Sequence, residues 1–338
     1  HGSPLHYFRA DKPGSLELKP AAMIGSQEAC LTYPEFYRLP DGDLLFLYRD
    51  GFSGGGNLVL NRYDRRRKQW RRVQSNLIDG ERKRNAYPQA TVDEDGVLHL
   101  SWVWRETPDV ATNHDLCYAR SRDGGVAWER SDGSKYELPI RQANAEVVRP
   151  IPMRSELMNQ TSIAAARGGI NCTATYWRDP QDAAPQFRLV WFDGRTWRTE
   201  TPFERKTPFS LSGGGTKRIP ISRPQIAIRK TGARVQAAMI FRDEERGFKA
   251  TVAACPDLGN APWKVFDVTD DPLGYWEPSF DTCLWLDRGL LHVFVQNVGQ
   301  GDGESLNDMP PQPVRVVELS AKRLFNPSVG KRRPGRAR

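Results

Sequence analysis

Apolar and polar residues alternate along most of the chain in short runs, and the runs stop at Gly, Pro, Asn or Asp. Alternation with a period of two predicts β-strands with one face turned inward, and the residues between the runs predict turns. One phrase recurs. It starts at a Gly turn, passes through alternating apolar residues and ends in an aromatic followed by Arg. Pro40-Asp41-Gly42 leads to Tyr48-Arg49, Glu94-Asp95-Gly96 to Trp104-Arg105, Arg167-Gly168-Gly169 to Tyr176-Trp177-Arg178, and Lys230-Thr231-Gly232 to Phe241-Arg242. A fifth copy opens at Asp287-Arg288-Gly289 and ends in Gln296 instead of Arg. A second marker, a Trp in a polar context, follows the first four copies at Trp70, Trp128, Trp197 and Trp263.

The copies repeat at intervals of 54 to 73 residues. Units of this size without a helical period predict an all-β fold, a β-propeller of four-stranded antiparallel blades. Blades are expected over residues 31–80, 81–145, 146–208, 209–272 and 273–320, with residues 1–30 as the outer part of an earlier blade. Propellers of the relevant kind close with roughly six or seven blades. Five blades and a partial one therefore predict a seven-bladed type lacking N-terminal blades, with residues 1–325 as a single domain. Ser121-Arg122-Asp123-Gly124-Gly125-Val126-Ala127-Trp128 fits the pattern S-x-D-x-G-x-x-W. This is the Asp box of sialidase-type propellers, a turn in which Asp caps backbone N–H groups and Trp packs between blades. Its role is structural.

Composition narrows the reading. A hydrophobic fraction of 38% in 338 residues is enough for a core and excludes wholesale disorder. No apolar run approaches the length of a membrane-spanning helix. The formal charge is +8, from 49 Lys+Arg against 41 Asp+Glu, and part of the excess sits in residues 326–338, read as a disordered basic tail. No nucleic-acid-binding motif accompanies the charge, and an anionic ligand of another kind fits as well. The five cysteines contain no C-x-x-C and read as small buried hydrophobes, which gives no metal site. The chain starts with His1 instead of Met; a leader removed or a fragment explains this, and the blade count favours the fragment.

The four phrase-ending arginines are the first chemical candidates. If the phrases are equivalent inner strands, Arg49, Arg105, Arg178 and Arg242 point at one axial region, where a carboxylate or sulfate would be gripped bidentately. The competing reading pairs each with the acidic residue that follows an equivalent Arg: Asp50, Glu106, Asp179 or Asp243. Tyr33 is the second candidate. Lying before Pro34 it is expected to be extended, and beside an Arg it could serve as general acid or base; as a plain packing aromatic it would do neither. Among the histidines, His99 and His292 occupy matching phrase positions and read as structural, whereas His114, beside Asn113 in a polar loop, is a candidate site residue. The Gly-rich stretches around Gly54 and Gly213 follow no βαβ pattern, so close backbone approach explains them better than phosphate binding. Asn159-Gln160-Thr161 and Asn171-Cys172-Thr173 fit the glycosylation sequon, which is common by chance.

The strings Thr32-Tyr33-Pro34, Tyr48-Arg49-Asp50-Gly51, Ser53-Gly54-Gly55-Gly56-Asn57, Asn85-Ala86-Tyr87, Trp102-Val103-Trp104-Arg105-Glu106 and Asn113-His114-Asp115-Leu116 together resemble the BNR-4 repeat family along most of residues 1–300. The resemblance implies a propeller, and characterised relatives include lyases acting on ulvan and on rhamnosyl-glucuronate ends of arabinogalactan. Those lyases use a His pair, a Tyr and an Arg. The resemblance carries these over to Tyr33, Arg49 and His1 of His1-Gly2-Ser3-Pro4-Leu5-His6-Tyr7-Phe8-Arg9; the first His of the pair has no counterpart here. Arg105, His114, Asn113, Tyr87, Arg178 and Arg242 are the candidate substrate contacts. The implied reaction is β-elimination at a uronic acid, with no cofactor required, although a structural metal ion is compatible with it. The implied partner is an anionic polysaccharide or oligosaccharide, bound by a monomer with no nucleic acid and no membrane, in a secreted or periplasmic location. The alternatives are a glycoside hydrolase of sialidase or rhamnosidase type and a non-catalytic carbohydrate-binding propeller.

Overall fold

The computed structural model describes residues 2–52, 54–159, 161–301, 303 and 307–325. His1, Ser53, Gln160 and the basic tail 326–338 lie outside the described residues. The chain is all-β, built from antiparallel sheets of the β-propeller blade type, and it divides into two compact units, His1–Arg154 and Ser155–Arg338.

The first unit opens with a two-stranded ribbon, β1 (Phe8–Arg9) and β2 (Lys19–Pro20). Two four-stranded sheets follow. One contains β3 (Leu31–Arg38), β4 (Leu44–Asp50), β5 (Asn57–Asp64) and β6 (Gln69–Gln74), hydrogen-bonded in chain order; the other contains β7 (Asn85–Val92), β8 (Leu98–Arg105), β9 (Asn113–Ser121) and β10 (Glu146–Arg149). β10 carries the second sheet past the expected boundary at 145. Leu45, Leu47, Leu58 and Leu60 of the first sheet interleave with Leu98, Leu100, Trp102, Trp104 and Cys117 of the second. All are buried, and this is where the apolar area that drives folding leaves water.

The turn at Ser121–Trp128 ties these two sheets together. Asp123 accepts from the backbone N–H of Val126 and Ala127 at 3.0 Å, and Trp128 Nε1 donates to Gly125 O at 2.9 Å. Trp128 is buried against the first sheet's leucines, and Gln74 of β6 donates to Gly125 O and Val126 O. Gly125 has φ 95°, and a Cβ there would lie 2.2 Å from Leu60 Cδ2, so only glycine fits.

The second unit contains a third sheet, β11 (Ser162–Ala166), β12 (Ile170–Trp177), β13 (Gln186–Phe192) and β14 (Trp197–Glu200), and a fourth, β15 (Gln225–Thr231), β16 (Arg234–Asp243), β17 (Lys249–Cys255) and β18 (Lys264–Asp267). The fifth has three strands among the described residues: β19 (Ser279–Phe280), β20 (Leu290–Val295) and β21 (Arg315–Ser320). A short helix, α1 (Thr282–Arg288), precedes β20, and α2 (Ala321–Phe325) follows β21. The core of this unit joins Ile240, Val252 and Ala254 to Leu291, Val293 and Trp285. Cys117, Cys172 and Cys255 are buried, Cys30 is half-buried and Cys283 is exposed.

The repeat phrase proves to be the second strand of each sheet, not the innermost. β4, β8, β12, β16 and β20 are second in their sheets, and first strands lie against one another, β3 against β7 and β11 against β15. The phrase is the most apolar segment because a second strand has a hydrogen-bonded neighbour on each side and buries both faces; β8 and β12 are buried along their whole length. Tyr33 and Tyr87 come from first strands, Arg49 and Arg105 from the ends of second strands.

Candidate active site

β3 and β4 pair regularly except for a register shift between Thr32 and Glu35. Tyr33 sits in that irregularity with φ 54°, in the left-handed region. Bulky residues rarely adopt it, and a following proline disfavours helical conformations of either hand. The expected extended conformation is therefore corrected: the chain holds Tyr33 in a strained one, at a cost of about 1–3 kcal/mol. A bulge of this kind re-aims a side chain that regular pleating would send elsewhere.

Arg49 lies at the end of β4, opposite Thr32. Its Nε donates to Thr32 Oγ1 at 3.2 Å. Its guanidinium carbon stands 5.0 Å from the ring centroids of both Tyr33 and Tyr87, which are 5.7 Å from each other. The side chain is 2% exposed. Among the described residues no carboxylate lies within ion-pair distance of it, and Nη1 has no hydrogen-bond partner. Gly56 makes room for this arrangement. A Cβ at that position would fall 2.7 Å from Arg49 Cγ and 2.8 Å from Cδ, so the Gly-rich loop serves close backbone approach to a buried arginine.

The second sheet completes the cluster. Arg105 Nη1 donates to Tyr87 Oη at 3.1 Å, Nη2 donates to Pro108 O, and its guanidinium carbon is 5.4 Å from the Tyr87 ring. Tyr87 thus has a guanidinium against its ring from each of two sheets, an attraction between cation and π-face that strengthens when water is excluded. Asn85, two residues earlier on the same face of β7, accepts from Gly56 N–H at 2.8 Å. Asn113 is buried opposite Arg105 on β9.

His114, next along, is 8% exposed and bridges two carboxylates: Nε2 to Glu106 Oε1 at 2.9 Å and Nδ1 to Asp115 Oδ2 at 3.0 Å. Burial alone would lower its pKa, but the two carboxylates outweigh it and hold the imidazolium above its ordinary range. Glu106 also accepts from Arg84 at 2.8 Å and is held below its ordinary range by Arg84 and His114 against the opposing effect of burial. His99 is fully buried, with Nδ1 2.7 Å from Tyr118 Oη and Nε2 3.2 Å from Asp93. Burial pushes its pKa down.

Arg178 and Arg242 belong to the second unit. Arg178 Nε donates to Glu156 at 2.8 Å. Arg242 is 1% exposed and donates to the carbonyls of Trp276 and Ile221 at 2.9 Å. Three of the four acidic residues that follow the phrase pair with other arginines: Asp243 with Arg205 at 2.6 Å, Asp179 with Arg188 at 3.1 Å, Glu106 with Arg84. Neither of the two readings of the phrase-ending arginines holds for all four. His1 lies outside the described residues.

The sequence profile of BNR repeat-containing family members matches residues 1–204 of the chain. The chain belongs to this family. A curated relative, the short isoform of an ulvan lyase from Alteromonas sp. (strain LOR), is 27% identical over 146 residues, 38% of this chain and 27% of the relative. The polysaccharide lyase Uly1 superposes with a TM-score of 0.61 at 17% identity, covering 91% of this chain and 64% of its own. A PL25 ulvan lyase superposes with a TM-score of 0.62 at 11% identity, covering 93% and 72%. These likenesses establish the fold. The chain matches about a quarter of the curated relative's length and spans about two-thirds of the first solved structure.

Three contributors stood in the sequence only as members of motifs, with no contact assigned to them. Thr32 anchors Arg49, Gly56 clears its path, and Asn85 holds Gly56. Asn85 was visible as the residue two before Tyr87 in an alternating strand. The Thr32–Arg49 and Asn85–Gly56 contacts arise from register and from packing between sheets, which no local pattern encodes.

Proposed function

We propose that this chain is a polysaccharide lyase that cleaves a uronic-acid-containing glycan by β-elimination at the site of Tyr33 and Arg49. One observation carries the reading: a buried guanidinium with no carboxylate partner among the described residues stands against two phenol rings, 5.0 Å from the centroid of each. A buried charge of this kind is costly unless a counter-charge arrives, and a planar carboxylate is the group its fork matches. The structure of a related ulvan lyase bound to -[GlcA(1-4)Rha3S]- supports an anionic glycan as that partner.

The chemistry follows from charge. The C5 proton of a uronate is weakly acidic because its removal adds negative charge beside a carboxylate. Arg49 neutralises that carboxylate and stabilises the enolate-like species. A base takes the C5 proton, the electron pair forms the C4–C5 double bond, the C4–O bond breaks, and the departing oxygen takes up a proton. Water is not consumed. Tyr33, against Arg49 and held in a strained bulge, is the residue for proton transfer. The family resemblance gives His1 a share in it. Arg105 and Tyr87 hold the glycan beside the reacting sugar. Secretion follows as a proposal from such a substrate.

Mass spectrometry of the products from a glucuronate–rhamnose polysaccharide tests the proposal. Elimination yields oligosaccharides one water lighter than hydrolysis does. Fragments of the hydrated mass would replace the lyase reading with a hydrolase, and binding without fragments would leave a carbohydrate-binding propeller.

A further inference from the structure

Asn85 is 0% exposed and its two amide atoms have different fates. Oδ1 accepts from Gly56 N–H at 2.8 Å, which fixes the orientation of the amide because only the oxygen can accept. Nδ2 is then directed away from that contact, and it has no hydrogen-bond partner among the described residues. Two more buried donors beside it share this condition, Arg49 Nη1 and Arg105 Nε. The three converge. Gly56 touches both Asn85 and Arg49, Asn85 is opposite Arg105 in the β7–β8 register, and Tyr87, on the same face as Asn85, is against both guanidiniums.

Buried polar groups are normally satisfied, and each exception calls for a reason. These three are donors, and two of them carry positive charge. Such a set matches a group that offers acceptors alone and a negative charge. We propose that Asn85 is a positioning residue for the bound anion: its Nδ2–H donates to the same carboxylate that Arg49 grips, and so fixes the rotation of that carboxylate about its bond to C5. This rests on the lyase reading for the identity of the anion, but not for the existence of the donor cluster. Fixing the carboxylate plane matters because the enolate-like species is planar across C5 and its carboxylate, so an incorrectly rotated carboxylate cannot delocalise the developing charge.

Asn85→Asp tests it with two readouts of opposite sign. The variant keeps the acceptor for Gly56 N–H and replaces the donor by a carboxylate oxygen. If Nδ2 faces the guanidinium cluster, the new carboxylate becomes an internal partner of Arg49 and Arg105. The melting temperature then stays level or rises at neutral pH and falls as the pH drops through the carboxylate's titration. At the same time the affinity for a glucuronate–rhamnose oligosaccharide, measured by calorimetry, falls at least tenfold, while affinity for the carboxyl-reduced oligosaccharide is unchanged. A fall in melting temperature at neutral pH would show a carboxylate buried away from the cations and overturn the proposal. Unchanged affinity for the acidic oligosaccharide would also overturn it. Asn85→Ala, which removes the donor without adding charge, covers the case in which the aspartate variant does not fold. It is expected to weaken binding of the acidic oligosaccharide alone, and equal weakening for the reduced one would refute the assignment. Absence of unsaturated product from the wild type would end the lyase reading and leave the melting-temperature result for Asn85→Asp standing.

Discussion

Replacing Arg49 by Met removes the charge and keeps most of the buried stem, and it separates stability from activity. The magnitude follows from the surroundings. An unpaired buried cation carries a desolvation penalty of several kcal/mol, taken here as about 4. Two cation–π contacts, at 5.0 Å each, return about 1 kcal/mol apiece, and the hydrogen bond to Thr32 about 1 more. The balance is about 1 kcal/mol against the arginine. Arg49→Met is therefore expected to stabilise its unit by about 1 kcal/mol, a rise of roughly 2–4 °C in melting temperature. Turnover should fall by about 10²–10³ or more, as when a charge-stabilising donor is deleted. Differential scanning calorimetry and product formation on one preparation give both numbers. A variant that melts more than 5 °C lower would show the guanidinium to be a net structural anchor, and retained turnover would show that it does not bind the reacting carboxylate; either result refutes the reasoning.

Tyr33→Phe is expected to remove most turnover with an unchanged melting temperature, since the ring still packs against Arg49 and Tyr87; near-normal turnover would place proton transfer elsewhere. His99→Ala removes one partner each from Tyr118 and Asp93 in the core and should cost about 2–4 kcal/mol in chemical denaturation, with turnover retained at low temperature; lost turnover without lost stability would give His99 a chemical role. His114 has a raised pKa in the folded state, so its contribution to stability is complete below its ordinary pKa and disappears as the pH rises through the higher folded value. His99, with a lowered pKa, acts in the opposite sense, which is why the difference between wild type and His114→Gln is the quantity to follow. That difference should shrink as the pH is raised above neutrality; a pH-independent difference would mean that His114 is not charged in its carboxylate bridge.

How much of this was legible in the sequence depends on the range of the forces. Strands and turns are local, and the alternation ending in Tyr48-Arg49 and Trp104-Arg105 marked five sheets correctly. Which strand of a sheet it marked was not legible: the most apolar strand is second because burial on both faces selects apolar residues there, while the site joins Tyr33 and Tyr87 of first strands to Arg49 and Arg105 at the ends of second strands. Tyr33 was singled out, but its left-handed backbone was not, because the Tyr-Pro rule describes an unconstrained dipeptide and the sheet imposes the bulge. The phrase-ending arginines looked equivalent. Their neighbours differ, so Arg242 is held by main-chain carbonyls and Arg178 by Glu156, while Arg49 has neither. Partner choice across sheets depends on the fold and has no signature in spacing.

The central claim is elimination at Tyr33 and Arg49. The most direct measurement is the ultraviolet absorbance of the 4,5-unsaturated uronate, followed in time on a glucuronate–rhamnose polysaccharide with the wild-type chain and with Tyr33→Phe. Absorbance is expected to rise for the wild type and to stay nearly flat for the variant. Equal rates for the two, or reducing ends released from the wild type without absorbance, would contradict the claim.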